Sequence, residues 1–186
     1  MFREVIDLRN KVVELENRRT ELVKEKLEGF MRGEKSDLDE IVKVITAEKG
    51  LLELLRLKLR EERDSLSASK DKLKSKLNQL KKEKKFSKSV KRCLDIAFHN
   101  LQRHDDLLEK FVDKMMKGLE ITEQNLQKLK LGNFDFDEDP NSFFKEASKY
   151  LAEEDACINN TFEAIETVFR DSEKFYEDTL KRALFG

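Results

Sequence analysis

The sequence predicts an all-α protein, an elongated antiparallel four-helix bundle or coiled coil with long helices. Its 186 residues include one proline and six glycines, the residue types that interrupt or weaken helices. Apolar residues recur at spacings of three and four along most of the chain, which is typical of helices with one buried face. We expect one helical-bundle domain over residues 1–186.

The first helix is predicted over residues 2–31. Its apolar stripe follows the spacing of a buried helix face and comprises Val5, Leu8, Val12, Leu15 and Leu22. The sequence around Gly33 should end this helix, and Ser36 or Asp37 should cap the next one.

The second helix is predicted over residues 37–85, with a leucine stripe that becomes sparse after Lys70. The first helix is much shorter, so from about residue 67 the second helix should lose it as a neighbour. Either a bundle end of three helices or a dimer that fills the gap would follow.

Residues 86–89 are predicted to form a short elbow, and the third helix should run over residues 88–131. Gly132 is a glycine of the type that ends helices. The fourth helix is predicted over residues 141–184, with Asn141 or Ser142 as its cap. Its apolar side is broad and aromatic, so we expect contacts with more than one helix and a buried Phe162.

The composition limits the class of protein. The net charge is −1, so there is no global bias towards nucleic acid or acidic ligands. No segment has the roughly 18 consecutive apolar residues that a membrane span requires. The start of the chain lacks a signal-peptide pattern, and we therefore expect a cytoplasmic protein.

Candidate chemical groups are few, and we expect neither an enzyme nor a cofactor, and no catalytic, cofactor-binding or metal-binding residues. Cys93 and Cys157 are expected to be core thiols, too far apart along the predicted hairpin for a disulfide. His104 falls on the apolar seam of the third helix and should be a hydrogen-bonded core residue, whereas His99 should face solvent.

Two segments match known functional motifs in part. The segment from Asp135 to Glu146 has the carboxylate spacing of a calcium-binding loop, but Pro140 stands where that loop needs glycine, so we expect no sensor-like calcium affinity. The sequence from His99 to Arg103 resembles, at two positions, His-x-Leu-x-basic sequences of four-helix phosphotransfer modules. We expect no phosphorylation there, and a phosphotransfer-type or ligand-binding bundle is a third alternative.

Four phenylalanines lie in or next to the third connection: Phe134, Phe136, Phe143 and Phe144. We expect them to close the bundle end, together with Phe30, Met31 and Ile41 from the other loop. In the alternative interpretation, Phe134 and Phe136 are exposed and dock a partner, since monomers seldom expose such residues without a use.

Charge is distributed unevenly. The Lys-rich segment, residues 70–92, has eleven Lys or Arg residues and two acidic ones, whereas residues 132–180 have fourteen acidic residues and four basic ones. The segment is either a solvated helix end, balanced by acids such as Asp171 and Glu173, or a contact for phosphates. Its candidate anion contacts are Lys81, Lys82, Lys84, Lys85, Lys88, Lys91 and Arg92.

The leading functional hypothesis is a non-enzymatic scaffold or protein-interaction module that binds a protein partner, with a homodimer as a further option. The first alternative is binding to an anionic surface, membrane lipid or nucleic acid, through the Lys-rich segment.

The anion alternative is tested by removing Lys81, Lys82, Lys84 and Lys85 together. If the Lys-rich segment contacts phosphates, binding to anionic vesicles or nucleic acid falls steeply with salt, because each neutralised phosphate releases counterions. The variant should then lose binding while keeping its helicity, measured by co-sedimentation and circular dichroism. Negligible binding of the unaltered chain in both assays eliminates this alternative.

Overall fold

The computed structural model describes residues 2–34, 37–82 and 88–185. Within these ranges, side chains are described except at positions 2, 77, 80–82, 88–90, 168, 169, 171–173, 175–180, 182, 183 and 185. Residues 86 and 87 of the predicted elbow therefore lie outside the described residues, and residues 88 and 89 are helical. The side chains of Asp171 and Glu173, which were expected to balance the lysines, also lie outside the described part.

The described residues form four α-helices and no strand, which confirms the predicted all-α helical bundle. The helices are α1 (Phe2–Met31), α2 (Asp39–Lys82), α3 (Lys88–Lys130) and α4 (Asn141–Phe185). Every boundary lies within three residues of its prediction. Over the described residues, no helix is long and apolar enough to cross a membrane.

Left-handed glycines end two of the helices. Gly33 has φ 77° after α1, and Gly132 has φ 74° after α3. In the second case the Asn133 amide donates to the Lys128 carbonyl at 2.9 Å, which satisfies an otherwise unpaired carbonyl of the last helical turn.

One helix start has a predicted cap, and another has a different one. The Asp37 carboxylate accepts from the Asp39 amide at 2.9 Å, as expected for one of the two predicted candidates. At α4, however, the carboxylate of Asp139 accepts from the Asn141 amide, so neither Asn141 nor Ser142 is the cap. The reason is that Pro140 fixes its φ near the helical value and so starts the turn two residues earlier than predicted.

Neighbouring helices run antiparallel. On α1 and α2, Arg19 pairs with Glu48 and Glu4 pairs with Lys58, so rising residue numbers on one helix meet falling numbers on the other. Arg56–Asp113 joins α2 to α3 in the same sense, and Lys114–Glu146 joins α3 to α4. Apart from the buried Arg19–Glu48 pair, these pairs are partly exposed and add little stability individually, but all of them report the register.

The chain divides into two compact units, and the prediction of one domain stays a prediction. Unit 1 comprises residues 1–62 and 108–151, and unit 2 comprises residues 63–107 and 152–186. All of α1 belongs to unit 1, whereas α2, α3 and α4 contribute to both units.

Unit 1 has a continuous apolar core in which all four helices take part. Its largest fully buried side chains include Phe111, Ile45, Leu52, Leu108 and Met115. Burial of this kind contributes roughly 1.5–3 kcal/mol for each large side chain and dominates the stability of the unit.

Gly118 of α3 lies against the Phe144 ring of α4 in unit 1. A Cβ atom at Gly118 would lie 2.5 Å from Cε1 of the Phe144 ring, a distance that real Cβ contacts do not reach. The glycine is therefore needed for this packing, although glycine inside a helix normally weakens it.

We expect Gly118→Ala to destabilise the protein by about 1–3 kcal/mol, because the ring must move within a packed core. Gly50 is a matched control: it lies inside α2, is exposed and has no atom within 4 Å of the added Cβ. Gly50→Ala should stabilise by about 0.5–1 kcal/mol. Urea denaturation measures the change in the free energy of unfolding for both variants. Changes of the same sign in the two variants would contradict the packing argument.

Candidate functional site

Six large apolar side chains are exposed where α1 ends and where the α3–α4 loop lies. We call this group the aromatic end patch, and its members are Leu27, Phe30, Met31, Leu131, Phe134 and Phe136. Phe134 is 57% exposed and Phe136 43%. The rings of Phe30 and Phe134 pack with centroids 5.6 Å apart, so the two chain segments form one surface.

The expectation that these residues close the core is wrong for four of them. Phe30, Met31, Phe134 and Phe136 are exposed, whereas Ile41 is buried and Phe143 and Phe144 are partly buried. Near the two loops, buried positions are occupied by other side chains of the core, including Ile41, Leu126 and Ala147.

Polar contacts hold the α3–α4 loop in place. The Lys128 ammonium donates to the Asp135 carbonyl at 3.1 Å and to the Asp137 carboxylate at 2.6 Å. The Asn133 side chain accepts from the Asp135 amide at 2.9 Å. These contacts involve the residues on either side of Phe134 and Phe136, so the loop conformation that exposes the two rings is fixed by its neighbours.

The same contacts bear on the calcium motif. The Asp137 carboxylate is bound by a lysine, and that of Asp139 accepts from the start of α4. Among the described residues there is no group of three or more His, Cys, Asp or Glu side chains that could hold a metal ion. The loop uses its carboxylates for its own folding and as an acidic rim, formed by Asp135, Asp137, Glu138 and Asp139, beside the aromatic end patch.

The Lys-rich segment is described in part. The side chains of Lys81, Lys82 and Lys88 lie outside the described part, and Lys84 and Lys85 fall in the gap between α2 and α3. Lys91 and Arg92 are exposed, as are Lys70, Lys72, Lys74 and Lys76. None of these six described cations forms an ion pair with a described residue.

A buried ion pair crosses from α1 to α2 in unit 1. Arg19 Nε lies 2.9 Å from Glu48 Oε2, and both side chains are almost fully buried. The Arg19 guanidinium also stacks over the Phe144 ring, 4.1 Å from its centroid. Burial raises the pKa of Glu48 to about 7, against the opposing charge and hydrogen bond of Arg19.

A second buried charged group lies in unit 2. His104 Nε2 is 2.8 Å from Glu154 Oε1, and His104 Nδ1 is 3.0 Å from Asp105 Oδ1, with all three side chains at most 1% exposed. Burial alone would lower the pKa of His104, but the hydrogen bonds and charges of Asp105 and Glu154 raise it to about 9. His104 is therefore an imidazolium at neutral pH, and the expected hydrogen-bonded core histidine is confirmed.

This group does not resemble a catalytic centre. Both ring nitrogens of His104 face carboxylates, so neither offers a lone pair to a substrate or a metal. Cys157 is buried and unbridged, and burial raises the pKa of its thiol, which makes it a poor nucleophile. His99 is exposed as expected, while the nearby Arg103 pairs with Glu153.

The prediction from sequence missed the buried carboxylates and Arg19, although a signal was present. Arg19 continues the seven-residue spacing of Val5 and Val12, and Glu48 stands between Ile41 and Leu55 on the α2 stripe. A charged residue at a seam position predicts a buried pair across the seam.

Comparisons with protein-family models, with curated proteins and with solved structures gave no match for this chain.

The raised pKa values of His104 and Glu48 predict that stability falls as the pH rises. A raised pKa contributes stability that is complete below the ordinary pKa and is lost as the pH rises through the folded value. For His104 this window runs from 6.5 to about 9, and for Glu48 from 4.5 to about 7. One pKa unit corresponds to about 1.4 kcal/mol, so we expect His104 to account for up to roughly 3 kcal/mol.

Urea denaturation of the unaltered chain and of His104→Gln, across this range of pH, measures the contribution. The loss between neutral pH and about pH 9 should disappear in the variant. A variant that keeps the full slope would show that His104 is not the group responsible.

Proposed function

We propose that this protein is a non-enzymatic helical module that binds a protein partner through the aromatic end patch. The observation that carries the proposal is the exposure of six large apolar side chains where α1 ends and in the α3–α4 loop of unit 1, two of which, Phe30 and Phe134, pack against each other. Soluble monomers rarely expose a large contiguous apolar patch that has no function. Aromatic residues and Met are also enriched in protein interfaces.

The fixed loop conformation supports this interpretation. Lys128 and Asn133 hold the backbone next to Phe134 before any partner arrives. Binding then costs little conformational entropy in the loop, because the loop is already ordered. A surface with these properties can anchor an apolar partner segment efficiently.

The rim of the patch indicates which partner fits. Asp135, Asp137, Glu138 and Asp139 are all exposed, and a basic side chain, that of Lys128, is bound to Asp137. Complementary charge speeds association and excludes wrong partners. We therefore propose a partner segment with apolar side chains flanked by Lys or Arg.

The exposed cations of the Lys-rich segment favour a second candidate function, contact with the phosphates of membrane lipid or nucleic acid. Six described Lys and Arg side chains between residues 70 and 92 are exposed and form no ion pair with a described residue. Such a cluster attracts polyanions in a salt-dependent manner. The salt titration described above tests this candidate separately from the patch.

The patch is tested with Phe134→Ser/Phe136→Ser and a matched control. Leu57 and Leu54, on α2 of the same unit, are 52% and 41% exposed, against 57% and 43% for the two phenylalanines. Leu54→Ser/Leu57→Ser therefore removes a similar exposed apolar area elsewhere.

A photo-crosslinking residue at position 134 identifies a partner, which is then purified.

Isothermal titration calorimetry with the purified partner should show binding weakened by roughly 30-fold or more in the phenylalanine variant, as for an interface hot spot. The leucine variant should bind like the unaltered chain. Equal affinities for both variants, or an equal loss in both, would contradict the assignment of the patch.

A further inference from the structure

In unit 1, helix α1 covers a face that α2 and α4 share. On α4 this face includes Phe144, which lies beneath Arg19 of α1. On α2 it includes Lys58, whose ammonium is 3.8 Å from the Glu4 carboxylate of α1. The surface on which α1 packs thus includes the Phe144 ring on α4 and a basic edge at Lys58 on α2.

The same faces of α4 and α2 continue into unit 2, to which α1 contributes no residue. Phe162 follows Phe144 by about five helical turns, and Lys76 follows Lys58 by the same interval, so each pair lies on one face of its own helix. Phe162 is 56% exposed and Ile165 36%, and Lys76 is exposed. The expectation that Phe162 is buried is therefore wrong, and no residue of α1 belongs to the unit that contains it.

Among the described side chains of unit 2, few of the buried ones are apolar. Leu107 is the one large aliphatic residue among the buried side chains described there. The others are small or polar: Ala97, His104, Asp105, Glu154, Cys157 and Thr161. The described part of unit 2 thus buries fewer large apolar side chains than the core of unit 1, and apolar contacts on its open face would add to that burial.

The open face has edges of opposite charge. Lys72 and Lys76 form the edge on α2, and Glu163 and Glu166 lie beside Phe162 on α4. All four are exposed, and none forms an ion pair with a described residue. The pairs Arg63–Asp106 and Arg103–Glu153 set the register in unit 2, and extending it places Lys76 level with Glu163.

We propose that the open face of unit 2 binds a second copy of this chain. An apolar stripe with one basic and one acidic edge is complementary to itself under a two-fold axis parallel to the helices. Helix α4 of each copy then packs on the other copy as α1 packs in unit 1, with Phe162 and Ile165 at the centre. Its Glu163 and Glu166 face the second copy's Lys72 and Lys76, as Glu4 faces Lys58.

This dimer is independent of the proposed function, since the aromatic end patch belongs to unit 1. Analytical ultracentrifugation of the full chain should show a concentration-dependent dimer. Phe162→Ser/Ile165→Ser should be monomeric with unchanged helicity, whereas the control Leu54→Ser/Leu57→Ser should dimerise normally. A chain that is monomeric throughout, or a Phe162→Ser/Ile165→Ser variant that still dimerises, overturns the proposal.

Charge reversal tests the orientation. Lys72→Glu/Lys76→Glu has two acidic edges and Glu163→Lys/Glu166→Lys has two basic ones, so each alone should dimerise at least roughly tenfold more weakly, because like charges meet. Mixed together, they should form a 1:1 heterodimer, since each edge again meets its opposite. Two reversed variants that dimerise normally alone, or a mixture that stays monomeric, contradict the two-fold arrangement.

Discussion

The length of α1 is the constraint on which the rest of the structure depends. Helix α1 has 30 residues, whereas α2, α3 and α4 have 44, 43 and 45. Helix α1 contributes to unit 1, and none of its residues belongs to unit 2. All four helices contribute to the apolar core of unit 1, whereas Phe162 of α4, in unit 2, is exposed.

Buried charges occupy seam positions in both units. Arg19 and Glu48 join α1 to α2, and His104 and Glu154 join α3 to α4. Such pairs add less stability than apolar residues of similar size, because both charges lose their hydration. What they supply is register: a shift of one helical turn would leave each charge buried among apolar side chains. Two long amphipathic helices could otherwise pair in several offsets with similar apolar contact.

The sequence was sufficient for the helices and for part of the site. Apolar spacing and the glycines after α1 and α3 determine local structure, so all four helices were predicted within three residues of their observed ends. The positions of Phe134 and Phe162 depend on what covers them, which is a property of tertiary packing. The spacing of apolar residues predicts which face of a helix is apolar, but it does not predict whether another helix packs on that face. The burial of Arg19 and Glu48 was missed for the same reason, because each is buried against the other across two helices.

The polar interior of unit 2 also determines how the protein opens. Segments that bury little apolar area separate from the native structure at a lower free energy than the core does. We therefore expect the amide protons of α3 near Ala97 and of α4 near Thr161 to exchange with solvent through local openings that leave the amides around Phe111 and Leu52 protected. One continuous helix, α3, would then span regions of different protection, with the change near the boundary between Leu107 and Leu108 that separates the two units.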